Sequence, residues 1–233
     1  MSNVHVIIPA AGHGNRFGRS NPKQFTIIHD KTILEHAENI FAQAISIHSI
    51  YIAVNPEEDI FKKNSFDFSD KTKILYTGGE HRSQTVFNSL SKIVNEVDGD
   101  DWIIVHDAAR IGLNASIINN FVDDIVTHQV GGIMALPVPD TVKKVNNNQE
   151  IVATENRDIL WLAQTPQMFR YKILIEAFNN FNGIPTDESE MVEALGLKPV
   201  IIRGNMSNFK ITYPEDLKRA EQLIQTIYQD KND

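Results

Sequence analysis

The first loop of the chain combines small residues with two cations that are spaced to meet phosphate. After a short apolar run, the sequence reads PAAGHGNRFG over residues 9–18 and PKQF over residues 22–25. Small residues after a strand let backbone N–H groups approach phosphate oxygens, and Arg16 and Lys23 carry charge that neutralises them. The loop is therefore a candidate phosphate-binding loop. The alternative is a glycine-rich turn with two solvated cations.

Two well-known phosphate-binding motifs do not fit this loop. Gly12, Gly14 and Gly18 give the spacing G-x-G-x-x-x-G, whereas the dinucleotide-binding fingerprint is G-x-G-x-x-G. The acid expected about 20 residues later should end a strand, but Glu35 lies in a helical pattern. No Gly-Lys-Ser/Thr follows, so the loop is not a Walker A motif. A nicotinamide-dependent dehydrogenase is therefore disfavoured.

Further polar residues fall in three later loops. The segment GGEHRSQT follows a predicted strand and, read alone, is a turn with a helix N-cap. Asp107 and Arg110 follow the buried run WIIV in the segment VHDAAR. They either form a structural ion pair, or Asp107 binds a sugar hydroxyl or Mg²⁺ while Arg110 binds phosphate. In the segment NFKIT, helix capping accounts for every residue except Lys210.

Composition excludes several other classes of protein. The chain has 233 residues, no cysteine and a net charge of −8, and its eight histidines lack metal-ligand spacing. Disulfides, thiolate zinc sites and a cysteine nucleophile are thereby excluded, and no G-x-S-x-G element indicates a serine hydrolase. The acidic charge without a basic block argues against nucleic-acid binding. With no basic leader and no apolar run near the roughly 18 residues of a membrane span, we expect a soluble, cytoplasmic protein.

The rest of the chain alternates between strand and helix patterns. Strands are predicted over residues 4–9, 50–54, 73–77, 101–105, 132–137 and 200–203. Helices are predicted over residues 32–45, 83–94, 114–128, 171–181 and 214–228. This alternation predicts an α/β fold, with a mostly parallel twisted sheet flanked by helices in a Rossmann-like arrangement. Ligands bind such sheets at the carboxyl ends of the strands, where the loops described above fall.

One segment, residues 140–159, interrupts the alternation. It reads VKKV, then three asparagines, then IVA, which predicts a β-hairpin. A hairpin this polar is only marginally stable alone. We therefore expect it to project as an arm that packs on a second subunit, or to fold over the site. Thr141, Arg157 and Thr165 flank this hairpin, and each of them read alone is more often structural than functional.

Taken together and in order, these segments resemble the 2-C-methyl-D-erythritol 4-phosphate cytidylyltransferases, a family of the GT-A-like nucleotidyltransferase superfamily. The segments that carry the resemblance are IIPAAGHGNRFG, PKQF, GGEHRSQTV, VHDAAR, PVPDTVK, QTPQMF, TDESEMVEALG and NFKITYPEDL. They span residues 7–217, so the resemblance covers nearly the whole chain. It implies a single GT-A-like domain over residues 1–233, with a dimerisation arm at about residues 140–159.

The resemblance also implies roles for individual residues by matching position. The nucleotide loop would comprise Ala10, Ala11, Gly12, Gly14, Arg16 and Lys23. The cytosine and ribose side would comprise Gly79, Glu80 and Thr85, and the sugar-phosphate side Asp107, Arg110, Thr141, Arg157, Thr165 and Lys210. Of these, Arg16, Lys23 and Lys210 would be catalytic. In that family the arm crosses to a second subunit, which implies a homodimer in which Thr141, Arg157 and Thr165 help form the site.

The implied reaction uses CTP and a sugar-alcohol phosphate. An oxygen of the methylerythritol phosphate attacks the α-phosphorus of CTP in line, and pyrophosphate leaves. Catalysis then rests on positioning and charge stabilisation. Mg²⁺ is the implied cofactor, held mainly by the triphosphate, with Asp107 open as a further ligand. No general base is required, because a phosphate monoester is largely ionised near pH 7.

Several positions depart from the family pattern. Ile111 stands where Pro is usual after VHDAAR, so the loop that carries Arg110 loses a restraint on φ. Glu80 and Thr85 stand where Asp and Ser are common, and Phe17 and Ser89 replace the usual Met and Gly. None of these changes removes a charge that the reaction needs.

Two alternative functions stay open at this stage. A ribitol 5-phosphate cytidylyltransferase is similar in fold and chemistry, but its first loop tends to begin with Ala-Gly-Gly, whereas this chain has Pro-Ala-Ala. A non-catalytic nucleotide-binding protein is the other alternative. The joint presence of the charged residues Arg16, Lys23, Asp107, Arg110 and Lys210 argues against it.

Overall fold

The computed structural model describes residues 2–12, 22–63 and 65–229, and its centre is a seven-stranded sheet. The strands of this sheet are Val4–Pro9 (β1), Ser49–Ala53 (β4), Thr72–Leu75 (β5), Trp102–Val105 (β6), Gly131–Pro137 (β7), Trp161–Arg170 (β10) and Val200–Arg203 (β11). Outside the central sheet, Ile27–Ile28 (β2) pairs with Lys31–Thr32 (β3), and Lys143–Val145 (β8) pairs with Ile151–Thr154 (β9).

Helices connect and cover these strands. They are Ile33–Ala42 (α1), Ile60–Lys63 (α2), Arg82–Lys92 (α3), Ala115–Val126 (α4), Tyr171–Asn180 (α5), Glu188–Ala194 (α6) and Asp216–Gln229 (α7). The capping box predicted for α1 is present, since the Thr32 hydroxyl accepts from the Glu35 N–H and the Glu35 carboxylate accepts from the Thr32 N–H. Among the described residues, no helix is both long and apolar enough to cross a membrane.

The order of the strands confirms the predicted fold class. The order across the sheet is β11-β7-β10-β6-β1-β4-β5, and every pairing is parallel except those made by β10. Strand β10 runs antiparallel to both β6 and β7. A mostly parallel sheet with helices on both faces is the architecture that the alternation of patterns predicts.

The longest strand of the sheet, β10, is absent from the sequence prediction. Its middle reads Gln164-Thr165-Pro166-Gln167, a polar run with a proline, which is unusual inside a sheet because proline cannot donate a hydrogen bond. The pairing with β7 shifts register between Ala163 and Gln167, and the irregularity accommodates the proline. These four residues lie inside the sheet, beside the carboxyl end of β6.

The core lies on both faces of the sheet. Side chains alternate along β1, so Val6 and Ile8 enter one apolar cluster while Ile7 enters the other. The first cluster includes residues of α1 and α4, and the second includes residues of α3, α5 and α6. A third cluster packs the inner face of α7 against the loop after β6. Because apolar side chains are buried on both faces of the sheet, the ends of its strands are held in place. The polar loops begin at these strand ends.

The predicted hairpin is present and projects from the body of the protein. Strands β8 and β9 pair only with each other, and their residues are exposed throughout. Ile151, Val152 and Ile159 expose 64%, 57% and 76% of their surface. A two-stranded hairpin gains little stability alone. Within the part of the chain that the structure describes, these three side chains belong to none of the apolar clusters. Residues 140–159 are called the arm below.

Candidate active site

Loops from the carboxyl ends of β1, β5 and β6 meet at one edge of the sheet and enclose a cavity of about 220 Å³. The small residues Ala10, Ala11 and Gly12, which follow β1, line it together with Gly79, Glu80 and Thr85. Three further predicted residues, Lys23, Asp107 and Lys210, line it as well. The structure thus brings together residues that lie up to 200 positions apart, from Ala10 to Lys210, at the edge where α/β sheets bind ligands.

The first loop is tied to the body of the protein by its neighbours along the chain. The buried Gln24 amide donates to the carbonyl oxygens of Ala10, at 2.7 Å, and Gly12, at 3.0 Å. The Lys23 ammonium donates to the carbonyl oxygen of Ile211 at 2.6 Å. These bonds bring Lys23 to the segment that carries Lys210. The predicted residues Gly14 and Arg16 lie outside the described residues.

The turn after β5 approaches the first loop closely because of a glycine. A Cβ built on Gly78 would lie 2.6 Å from the Cβ of Ala11 and 2.9 Å from the Cα of Asn55, so no larger residue fits there. The turn is closed by the Thr85 hydroxyl, which accepts from the Gly79 N–H at 3.0 Å. Thr85 is buried and holds the turn in place. Glu80 is exposed at the mouth of the cavity.

A buried carboxylate, Asp107, lies at the centre of the charged side of the cavity. Its Oδ1 accepts from Arg82 Nε at 2.8 Å. Its Oδ2 lies 2.9 Å from Lys210 Nζ and 3.3 Å from Arg110 Nε. Burial by itself raises the pKa of the Asp107 carboxyl, but the three cations outweigh burial and hold this pKa well below its ordinary value. Asp107 is therefore ionised and fully paired with cations.

Two residues of this cluster carry no role in the sequence analysis. The Arg82 guanidinium donates to both carboxylate oxygens of Glu188, at 2.7 and 3.1 Å, and Glu188 is fully buried. Burial lowers the pKa of Arg82, but its two carboxylate partners raise it above the ordinary value. The partners are 106 positions apart, so no local spacing links them. We call Asp107, Arg82, Glu188, Lys210 and Arg110 the Asp107 centre.

Arg110 lies behind Asp107 and is fixed from several sides. Its guanidinium donates to the carbonyl oxygen of Asn208 at 2.7 Å. The approach of the two loops depends on Gly112, because a Cβ there would lie 1.7 Å from the carbonyl oxygen of Ser207. The unusual Ile111 is buried in the apolar cluster beneath α7. Packing of this side chain anchors the loop that lacks the usual proline.

Thr165 belongs to a buried hydrogen-bond chain beneath Asp107. Its hydroxyl accepts from the Asp107 N–H at 3.0 Å and lies 3.2 Å from His106 Nδ1. Burial lowers the pKa of His106 to about 4, so the imidazole is neutral near pH 7. Its Nε2 donates to the Arg110 carbonyl oxygen at 3.0 Å, which leaves Nδ1 to accept from the Thr165 hydroxyl. In this chain Thr165 holds the Asp107 loop.

The arm residues do not reach the cavity within one chain. Thr141 and Arg157 are both exposed and are absent from the residues that line it. The Arg157 guanidinium donates to the carbonyl oxygen of Pro139, at the base of the arm. The two predicted parts of the sugar-phosphate side are therefore separate in a single chain, and their meeting across a dimer stays a prediction.

The described residues offer Mg²⁺ a poor ligand set. Both oxygens of Asp107 already contact cations. Within the described ranges, no group of three or more His, Cys, Asp or Glu side chains is arranged to hold a metal ion. Because Mg²⁺ needs several oxygen ligands, Asp107 does not fit as its anchor.

The ends of the parallel strands hold loops of small residues, two lysines and an aspartate bound to cations. This arrangement is typical of a transferase that binds a nucleotide, and comparisons with known proteins identify the class as a nucleotidyltransferase. The family model described as IspD, 2-C-methyl-D-erythritol 4-phosphate cytidylyltransferase, matches residues 4–226. The chain belongs to this family, as the motifs predict.

Individual relatives agree with the family match. Proteins named 2-C-methyl-D-erythritol 4-phosphate cytidylyltransferase from Nitrosomonas eutropha and Hahella chejuensis are each 40% identical to this chain. The first alignment covers 94% of this chain and 95% of the relative, and the second covers 97% and 95%. The relatives therefore match along nearly their whole length.

Solved structures confirm the fold. A crystal structure of 4-diphosphocytidyl-2C-methyl-D-erythritol synthase superposes with a TM-score of 0.84 at 33% identity, over 96% of this chain and 99% of the other. The Francisella tularensis 2-C-methyl-D-erythritol 4-phosphate cytidylyltransferase superposes with a TM-score of 0.80 at 36% identity, over 95% and 100%. The predicted enzyme class and isoprenoid pathway are confirmed with the fold.

Proposed function

We propose that this chain transfers the cytidylyl group of CTP to 2-C-methyl-D-erythritol 4-phosphate and releases pyrophosphate. The observation that carries the proposal is the cavity itself, where Lys23, Lys210 and the loop after β1 converge in a member of this family. Small residues admit the triphosphate close to the backbone, and the two lysines supply charge. The attacking group is a phosphate oxygen, so it needs no base to remove a proton.

In the proposed reaction, the oxygen of the sugar phosphate forms a bond to the α-phosphorus as the bond to the pyrophosphate oxygen breaks. Negative charge builds on the α-phosphoryl oxygens and on the leaving pyrophosphate. We assign to Lys23 and Lys210, which both line the cavity, the role of preorganised cations that stabilise this charge, and Asp107 holds the Lys210 ammonium at 2.9 Å. Arg16 is assigned to the triphosphate by the family motif alone.

Mg²⁺ enters this proposal as part of the substrate. When CTP is bound, Mg²⁺ would neutralise triphosphate oxygens and would need no carboxylate of this chain. A cytoplasmic location is part of the same proposal.

The proposal includes a homodimer joined by the arm. Ile151, Val152 and Ile159 are exposed on it, and Trp161 and Leu162 beside it expose 39% and 54% of their surface. A second copy that covers these side chains stabilises the pair by removing apolar surface from water. The same contact brings Thr141 and Arg157 to the partner's cavity.

Pyrophosphate release with CTP and Mg²⁺ tests the proposal, with methylerythritol phosphate and ribitol phosphate assayed in parallel. We expect turnover with methylerythritol phosphate only. Turnover with ribitol phosphate only would keep the fold and mechanism but replace the acceptor. No turnover with either acceptor, in a folded sample, would reject the catalytic function and favour the non-catalytic nucleotide-binding alternative.

A further inference from the structure

The TDES segment of the chain, which the proposed mechanism does not use, delivers a buried carboxylate to the Asp107 centre. Glu188 is the first residue of α6 and is fully buried. It holds the Arg82 guanidinium with a pair of hydrogen bonds, at 2.7 and 3.1 Å. Paired bonds of this kind fix both the position and the plane of a guanidinium. Arg82, which lines the cavity, is thereby oriented by a residue that is not among the cavity's lining residues.

The start of α6 is itself clamped to strand β10. Asp187 caps the helix by accepting from the Glu190 N–H at 3.0 Å, and it also accepts from the Gln167 amide at 2.9 Å. The side-chain oxygen of Gln167, Oε1, accepts from the Ser189 N–H at 3.0 Å. Glu188 lies between these two bonded residues. Its carboxylate is therefore fixed relative to the sheet that carries Asp107.

Fixing Arg82 determines which oxygen of Asp107 is left for Lys210. Arg82 uses Nε for Asp107 Oδ1, at 2.8 Å, because its other two nitrogens are engaged by Glu188. The second oxygen, Oδ2, is not used by Arg82; it binds the Lys210 ammonium at 2.9 Å and has Arg110 Nε at the longer distance of 3.3 Å. An Arg82 released from Glu188 has donors left to satisfy, and a paired bond to Asp107 competes with Lys210 for Oδ2.

We propose that Glu188 is a positioning residue that acts through Arg82 and Asp107 on the Lys210 ammonium. This inference rests on the proposed function, in which Lys210 faces the α-phosphate. Arg82 lines the cavity, so the Glu188–Arg82 pair orients a wall of the site. A displacement of about 1 Å at a catalytic group can cost roughly a hundredfold in rate.

The first test compares Glu188→Gln with Glu193→Gln, which changes an exposed glutamate on the same helix. We expect Glu188→Gln to lower kcat by about tenfold to a hundredfold, with KM for CTP within about threefold of wild type. Glu193→Gln is expected to keep both constants within about twofold. An unchanged kcat in folded Glu188→Gln, or an equal loss in Glu193→Gln, would overturn the inference.

The second test asks whether Glu188 acts through Lys210. In a Lys210→Gln background, Glu188→Gln is expected to cause less than about a twofold further loss of kcat, because the group it positions is gone. A full, independent loss in that background would contradict the inference. If Glu188→Gln does not fold, Arg82→Lys replaces it in both tests, since lysine cannot bind both carboxylates in a fixed fork. Wild-type turnover reports on the proposed function separately.

Discussion

The Asp107 centre and the arm both carry residues of the predicted sugar-phosphate side, and they differ in almost every physical respect. In the centre, every charged group has an oppositely charged partner within 3.3 Å, and Asp107 and Glu188 are buried. In the arm, Thr141 and Arg157 are exposed, and apolar side chains face water. A single chain therefore completes one region and leaves the other unfinished. The centre is organised by folding of one chain, whereas we propose that a second copy of the chain completes the arm.

The largest expected effect comes from removing a cation of the cavity. Lys23→Ala lowers kcat/KM by about a hundredfold to a thousandfold or more, because a preorganised charge partner of the triphosphate is lost. Steady-state pyrophosphate release measures this. Lys172→Ala is the matched control, since Lys172 pairs with Asp100 on an exposed surface. A Lys23→Ala enzyme within threefold of wild type would remove Lys23 from the mechanism.

The next largest effect is expected from a substitution in the arm that leaves the residues of the Asp107 centre unchanged. Ile151→Asp places a charge on the exposed apolar surface and is expected to convert the proposed dimer to a monomer. KM for the sugar phosphate then rises about tenfold or more, because the charged hydrogen bonds supplied by Arg157 are lost. Light scattering after size-exclusion chromatography and steady-state kinetics measure the two changes.

Ile45→Asp is the control for the arm variant. Ile45 is 89% exposed but lies outside the arm. We expect it to leave both the mass and KM unchanged. A dimeric Ile151→Asp enzyme with normal KM would show that the arm makes no functional contact.

A smaller effect is expected when the Thr165 hydroxyl, which bonds to the loop that carries Asp107, is removed. Thr165→Val keeps the shape of the side chain but leaves the Asp107 N–H and His106 Nδ1 without partners. The free energy of unfolding is therefore expected to fall by about 1–3 kcal/mol. Thr165→Ser restores the hydroxyl and is expected to recover most of that loss in urea denaturation. A Thr165→Val variant with wild-type stability and a raised KM for the sugar phosphate would instead make Thr165 a substrate contact.

The last effect is a pH dependence of stability that arises beside the Asp107 centre, at His106. The folded pKa of His106, about 4, lies below the ordinary value of 6.5, so the unfolded chain takes up the proton first. Stability that is present above pH 6.5 is lost as the pH falls from about 6.5 towards 4, by up to about 3 kcal/mol. Burial lowers the pKa of His5 and His36 as well, in the same direction.

Urea midpoints at pH 7.5 and pH 5 measure this dependence. We expect His106→Gln to show a smaller decrease between the two pH values than the wild type. Equal decreases in the two proteins would mean that His106 is not the group that titrates.

The sequence predicts the parallel framework well because periodicity reports burial on the faces of a sheet. The prediction misses β10, because the middle of this strand consists of polar residues and Pro166 rather than of apolar residues. These polar residues make contacts beside the carboxyl end of β6. Thr165 and Gln167 bond to His106, Asp107 and the start of α6 there. These partners lie far away in the chain, and a local pattern contains no information about them.

The candidate site likewise contains residues that the sequence predicts and residues that it does not. The loop residues Ala10 to Gly12, Lys23 and Lys210 are predicted from motifs, and the structure places them around one cavity. The Glu188–Arg82 pair escapes the sequence analysis because an ion pair between distant segments leaves no spacing to read. The effect of Ile111 is likewise visible only when its packing beneath α7 is known.

The most direct test of the account mixes two impaired variants and assays them at a sugar-phosphate concentration well below KM. It asks whether the Asp107 centre is complete in each chain while the arm is supplied by the partner. Lys23→Ala damages the body of a chain, and Arg157→Ala damages its arm. In a mixed dimer, one site combines the body of the Arg157→Ala chain, where Lys23 is intact, with the arm of the Lys23→Ala chain, where Arg157 is intact. With random exchange of subunits, activity is expected to return to about a quarter of wild type. A mixture that stays as inactive as its components would contradict the account.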